Sequence, residues 1–205
     1  LARDLECSVL QKFGPLVQLD KPAFVHETVE IFGKAHIGEG VSLWPRVVMR
    51  AEAREHVIGP FSNLQDFALL HIGGGQGAII GCHTSIAHRA TVHGATIGDN
   101  CLVGINATVM DGAVIGDNCI VAPHCIVTAG SKIPDNSIVA GVPGVVVKSR
   151  NNFVANRINA YSYHHNGLAY ARGEHRLWDS AEFQAARKAE QARLEAELAA
   201  MEAGR

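Results

Sequence analysis

The sequence predicts an all-β solenoid, a parallel β-helix of hexapeptide repeats, with α-helices following its last coil. Three observations carry this reading. From Ile97 onward an aliphatic residue returns at every sixth position, at Ile97, Val103, Val109, Ile115, Val121, Val127, Ile133, Val139 and Val145. A small residue follows four places later, at Cys101, Ala107, Ala113, Cys119, Cys125, Ser131 and Ser137. Ile-Gly pairs recur once per coil, at Ile37-Gly38, Ile58-Gly59, Ile80-Gly81, Ile97-Gly98 and Ile115-Gly116. A fixed short period outranks local propensity in deciding a fold, because each unit buries its apolar side only against its neighbours. Each hexad is then a strand plus a corner, three hexads close a coil of eighteen residues, and equivalent residues of successive coils stack about 4.8 Å apart.

Taken in order, residues 1–23 show no period and read as an N-terminal leader, and the start Leu1-Ala2-Arg3-Asp4-Leu5-Glu6 lacks the pattern of a signal peptide. The β-helix is expected over 24–148. Its frame runs through Ile31, Ile37, Leu43 and Met49, then Ile58, Leu64 and Leu70, then Ile80, Ile86 and Val92, and then the unbroken series from Ile97. Two insertions and one short unit offset these blocks. The Ile-Gly pairs open a face A, and faces B and C follow. Face A holds Ile97 and Ile115, face B Leu64, Ile86 and Val103, and face C Met49, Leu70, Val92 and Val109.

After Val147 the period changes, so 149–205 reads as a helical extension. Asn151 to Ala171 forms one helix, broken at Gly173. Asp179-Ser180-Ala181-Glu182 gives a capping-box start to a second helix running to about Ala203. The thin apolar stripe of that helix, Phe183, Ala186, Leu194, Leu198 and Met201, is expected to lie along a neighbouring prism.

The repeat sorts the polar residues into columns. Since aliphatic and small positions point inward, the residue after each aliphatic one points outward. On face C that position reads Arg50, His71, His93 in successive coils. On face B the second outward position reads Asp66, then His88, with Gln65 beside Asp66. His71, His88 and His93 are the candidate metal ligands. His88 lies on a different face from the other two, so one prism cannot easily bring all three nitrogens within the roughly 2.1 Å of a metal bond. Two chains can, if face C of one packs on face B of the next. A threefold ring of prisms repeats that contact three times and yields equivalent metal sites at its interfaces. The other eight histidines carry no such pattern.

Composition narrows the function classes. A net charge of -2 gives no electrostatic footprint for nucleic acid. No apolar run approaches the roughly 18 residues of a membrane span. Of five cysteines, Cys101, Cys119 and Cys125 occupy the small inward position, Cys82 points outward and Cys7 lies in the leader. An odd count with no zinc-knuckle spacing suits a reducing compartment, and the cytoplasm is the expected location. The run Ile72-Gly73-Gly74-Gly75-Gln76-Gly77-Ala78 lacks the Lys-Ser/Thr ending of a phosphate loop.

The chain resembles the gamma-class carbonic anhydrase family. The resemblance rests on Phe24 to Glu52, including Ile37-Gly38-Glu39-Gly40-Val41-Ser42-Leu43-Trp44-Pro45, on Asn63-Leu64-Gln65-Asp66, on His71, and on Ala87-His88-Arg89-Ala90-Thr91-Val92-His93-Gly94. The run Ile133 to Val147, with Ala140-Gly141-Val142-Pro143-Gly144, resembles the closing coil of that family. The resemblance implies a left-handed β-helix, a handedness that strand crossovers otherwise avoid. It implies a metal-dependent lyase that holds Zn²⁺, with Fe²⁺ or Co²⁺ as alternatives, on His71, His88 and His93, and in which a metal hydroxide attacks CO₂ to give bicarbonate. It implies a homotrimer. By the same resemblance Gln65 orients the hydroxide, Arg50 holds bicarbonate or bridges the interface, and Asp66 fixes neighbouring donors.

Two departures stand out. Where the family usually has Arg-Gly-Asp, this chain has Arg50-Ala51-Glu52, a carboxylate on a longer arm, and Glu52 joins Arg50, Gln65 and Asp66 among the candidate catalytic residues. The loop after His71 carries no acid or base to export a proton, so a slow carbonic anhydrase is expected. Three alternatives stay open: a metal-dependent hydrolase or thioesterase acting on an acyl-CoA, a hexapeptide acyltransferase using one histidine without metal, and a non-catalytic trimeric scaffold. The expected ligands are thus CO₂ and bicarbonate or an acyl ester, with neither nucleic acid nor membrane as partner. Residues of the C-terminal helix approach the active site in the family, which makes Tyr161, Tyr163 and Asn166 candidates to line it.

Overall fold

A computed structural model describes residues 13–204, and Cys7 lies outside the described residues. Face B is built from parallel strands at Phe24–Val25, Ser42–Leu43, Asn63–Leu64, Ser85–Ile86, Leu102–Val103, Ile120–Val121 and Ser137–Ala140, with Val145–Ser149 added antiparallel at the end. Face C stacks residues 48–50, Leu69–His71, Thr91–His93, Thr108–Val109 and Ile126–Val127. Two long strands, Glu30–Ile37 and Val48–Ile58, continue from face C round to face A, so faces C and A share one hydrogen-bonded sheet. The pairing is Met49 with Leu70, Leu70 with Val92 and Val92 with Val109, the register expected from the repeat. Leu43, Leu64, Leu70, Ile86, Val92 and Val103 are wholly buried along the axis of the solenoid.

The first rung lies ahead of residue 24. Val17–Leu19 pairs in parallel with Ala35 to Ile37, inside the stretch assigned to a leader. Three alternating residues are too short to display a six-residue period, although Val17 is buried in the same core.

The corners explain the non-aliphatic half of each hexad. Between faces A and B the chain turns through left-handed backbone at Phe61, His83, Asn100, Asn118 and Asn136, and between faces B and C at Arg46, Phe67, Arg89, Asn106 and His124. Asn tolerates this conformation because its short amide can bond locally, whereas a bulky residue pays roughly 1–2 kcal/mol for it. The Asp-Asn corners add a carboxylate ladder: Asp99, Asp117 and Asp135 each accept a backbone N–H from the coil before, from Cys82, Asp99 and Asp117 in turn, at 2.8 Å. Cys101, Cys119 and Cys125 are buried free thiols and Cys82 is partly exposed.

Helix α1, Phe153–Tyr170, lies against the strands of face B. Buried amides fasten it there. Asn156 Nδ2 donates to the carbonyls of Asn100 and Cys119, and Asn159 Nδ2 donates to Ser85 Oγ at 2.8 Å. Helix α2, Ala181–Ala203, starts at Ser180, whose Oγ accepts from Phe183 N at 3.2 Å. The residue in the third helical position is Phe183 rather than an acid, so only half of the expected capping box forms. Part of the α2 stripe, expected on a neighbouring prism, is covered by its own protomer, while Ala186 and Met201 remain exposed. Leu194 is fully buried and Phe183 nearly so within the same protomer, where Phe183 packs on Tyr161 and His165 of α1.

Two outcomes follow from this packing. Ser85 Oγ accepts from both Asn63 and Asn159, so Ser85→Ala strands two amides and is expected to cost about 1–3 kcal/mol in urea denaturation. His83 stacks on Phe61 at 5.2 Å; burial, reinforced by Arg157, pushes its imidazole down to about 4, and burial likewise lowers His56. Both groups bind protons more readily in the unfolded chain, where they titrate near 6.5, so their contribution is complete above that value and declines as pH falls below it, with the His83 part lost as pH passes through about 4. The urea midpoint is expected to decline across this acid window, and His83→Gln to flatten the decline.

Candidate metal centre

Cross-coil pairing places Arg50, His71 and His93 side by side on face C, because their inward neighbours Met49, Leu70 and Val92 are in register. The outward side chains converge. His71 Nδ1 and His93 Nε2 stand 2.9 Å apart. His93 Nδ1 in turn donates to Asp111 Oδ1 at 2.7 Å. Arg50 Nη1 donates to Glu52 Oε1 at 3.0 Å, and the other oxygen of Glu52 lies 3.6 Å from His71 Nε2. The Arg50-Ala51-Glu52 departure therefore still places a carboxylate beside the first histidine, on the longer arm.

A second cluster forms where face B meets α1. His88 Nδ1 donates to Asp66 Oδ2 at 3.0 Å, and its Nε2 faces the Tyr163 hydroxyl at 3.4 Å. Burial, followed by the charge of Asp66, pushes the Tyr163 phenol up to about 12. It therefore keeps its proton at neutral pH and donates it to His88. Gln65 is buried and donates through Nε2 to Asn63 Oδ1, which ties one end of its amide to the Asn63, Ser85 and Asn159 network. Of the other α1 candidates, Tyr161 packs on His165 and Phe183, and Asn166 is buried.

The seven candidate site residues thus separate into two groups within one chain: Arg50, Glu52, His71 and His93 on face C, and Gln65, Asp66 and His88 on face B. Among the described residues no three His, Cys, Asp or Glu side chains meet at a point that could hold a cation. The donor chemistry nonetheless suits one. An ionised carboxylate only accepts, so Asp111 and Asp66 hold the protons of His93 and His88 on Nδ1 and leave each Nε2 with a lone pair. Two nitrogens bound to a tetrahedral ion at about 2.1 Å lie roughly 3.4 Å apart. The His71 and His93 pair is within about half an ångström of that separation.

Two further members of this neighbourhood, Asp111 and His56, lie outside the two outward columns of the repeat. Asp111 sits two residues past Val109, as Gly94 does past Val92, so the coil period itself carries the signal. His56 is fully buried beneath the site; its Nε2 donates to Arg50 O at 3.0 Å and its Nδ1 accepts from Ala78 N at 2.9 Å. Burial keeps it neutral, and it joins the ends of the two insertions. Nothing in the hexad marks it, because it lies inside an insertion.

A family model for the bacterial transferase hexapeptide (six repeats) matches residues 94–129. Gamma carbonic anhydrase 1, mitochondrial, of Arabidopsis thaliana is 33% identical over 110 residues, 51% of this chain and 40% of that protein. The "Probable carbonic anhydrase" of Methanocaldococcus jannaschii is 46% identical over 79 residues, 38% of this chain and 50% of that protein. The chain spans about half the length of the curated relatives it matches. Among solved structures, a hexapeptide transferase family protein from Anaplasma phagocytophilum superposes with a TM-score of 0.67 at 27% identity, covering 77% of this chain and 92% of that one. The N-acyltransferase AntD of Bacillus cereus shares the fold with a TM-score of 0.63 at 17% identity, covering 80% of this chain and 96% of its own. Over the coils that carry the histidine column, the chain is thus similar to gamma-class carbonic anhydrases, and it shares the hexapeptide-repeat solenoid with the transferases.

Proposed function

We propose that the protein is a metal-dependent carbonic anhydrase whose ion is held by His71 and His93 of one protomer and His88 of a second, in a homotrimer. The observation that carries this reading is the pair of imidazoles at 2.9 Å, with a carboxylate behind His93 and another behind His88. When bound, the divalent ion, zinc or ferrous iron, supplies an acidified water as nucleophile toward CO₂.

The remaining roles belong to the chain itself. Arg50, on the same outward column, offers a planar fork suited to a carboxylate-like product, and Glu52 holds that fork in place. Gln65, with one amide hydrogen committed to Asn63, keeps its carbonyl oxygen free to orient a water. Asp66 holds the ring of His88 from Nδ1 and leaves Nε2 for the ion, and the Tyr163 hydroxyl, which faces that nitrogen at 3.4 Å without the ion, would give up this bond when the ion is held. The released proton has to reach bulk solvent, and the loop from Ile72 to Ala78 offers no acid or base to carry it.

Purified protein is expected to hold stoichiometric divalent metal by elemental analysis, and His88→Ala to lose it. Chains carrying His71→Ala with His93→Ala, mixed with His88→Ala chains, are expected to recover part of the metal in hybrid trimers; stoichiometric metal in His88→Ala alone sinks the shared site. Stopped-flow hydration should run far below the roughly 10⁶ per second of the fastest enzymes and rise with buffer concentration. A buffer-independent rate near that ceiling contradicts the reading that the loop leaves proton export to buffer. A second reading, acyl transfer from an acyl-CoA, draws on the transferase likeness at 27% identity. Thioester turnover by metal-free protein, without CO₂ hydration, would favour it.

A further inference from the structure

Asp111 occupies space that two glycines leave for it. A methyl group built on Gly73 would overlap the Asp111 carboxylate, and one on Gly94 would come within 2.8 Å of Asp111 Oδ1. Gly73 has ordinary backbone geometry, so room for the carboxylate, rather than an unusual dihedral, is what a side chain there would violate. The loop that carries Gly73 is folded onto the same spot. Gly73 N donates to Gln76 O at 2.9 Å, and Gln76 Nε2 donates to Gly94 O at 3.2 Å. The glycine run after His71, which lacks any reactive side chain, thus has a packing reason: it closes against Gly94 and makes room for Asp111.

The carboxylate so placed is the acceptor for His93 Nδ1 at 2.7 Å, the short distance of a charge-assisted hydrogen bond. Since a carboxylate can only accept, the proton must sit on Nδ1. His93 Nε2 then bears the lone pair and accepts from His71 Nδ1 at 2.9 Å, which makes His71 the donor in that pair. The order of donors along Asp111, His93 and His71 is fixed from the Asp111 end. Glu52, at 3.6 Å from His71 Nε2, is too far to impose the opposite order.

We infer that Asp111 is a positioning residue: seated in a cradle formed by Gly73 and Gly94, it fixes His93 in the Nδ1–H form and so presents Nε2 as a metal ligand. The metal half of this inference rests on the proposed metal centre; the tautomer half stands in protein without metal. Outer carboxylates of this kind typically contribute 10–100-fold to metal affinity.

The test reads both halves in the full-length protein. Long-range ¹H–¹⁵N spectra of chelator-treated protein, with His93 assigned through His93→Gln, are expected to show the Nδ1–H tautomer in the wild type and a mixture in Asp111→Ala. Zinc affinity by competition with a chromophoric chelator is expected to weaken roughly 10–100-fold in Asp111→Ala. Asp111→Asn, whose amide oxygen still accepts, should keep the tautomer and recover part of the affinity. Gly73→Ala should behave like Asp111→Ala although it touches neither histidine, and with Asp111→Asn it carries the test should Asp111→Ala fail to fold. An unchanged tautomer together with zinc affinity within twofold of wild type in Asp111→Ala and Gly73→Ala overturns the inference. Wild-type protein that takes up no zinc overturns the metal-centre reading instead, and the tautomer comparison alone then decides the role of Asp111.

Discussion

The parallel ladder between coils is the constraint on which the rest of this structure depends. Each face contributes only two or three residues per strand, yet every strand bonds the one above and the one below, and the inward aliphatic residues lock that pairing. A slip of one residue would turn Leu70 or Val92 out to solvent and His71 or His93 into the core. Because period-two alternation makes such a slip so costly, the core fixes the positions of the outward residues without touching them. The histidine column is in this sense a by-product of hydrophobic register.

The two insertions show how the solenoid admits function without losing that register. Both lie between faces C and A, one within Val48–Ile58 and the other between Leu70 and Ile80, and the ladder resumes after each. His56 bridges them, accepting from Ala78 and donating to Arg50 O, and its burial keeps it neutral for both bonds. The first insertion follows Arg50 and carries Glu52; the second follows His71 and closes over Asp111 through Gly73 and Gly94. The departures from regular repetition are thus concentrated around the proposed ligands.

On the other side, α1 covers face B and converts a plain sheet surface into a half-enclosed one. Its buried amides bond to coil carbonyls and to Ser85, which sets the helix in register with the coils. That placement brings Tyr163 to His88, opposite Asp66. His93 and His88 share one device, a carboxylate on Nδ1, although they stand on different faces and take their acids from coils on opposite sides: Asp111 from the coil after His93, Asp66 from the coil before His88.

By itself the sequence determined the solenoid, the assignment of residues to three faces, and the stacking of Arg50, His71 and His93, since all three depend only on counting in sixes from buried aliphatic residues. It also separated His88 onto another face by the same count. Tertiary structure alone decided what lies off that count. The first rung at Val17 was too short to show a period, and the capping and docking of α2 depended on which apolar residues α1 and face B left uncovered. His56 and the cradle of Asp111 arise where inserted loops fold back on the ladder, and Tyr163 was chosen over Tyr161 by the helix docking. Periodicity specifies positions within a repeat; contacts made by insertions and appended helices depend on three-dimensional closure, which no one-dimensional period encodes.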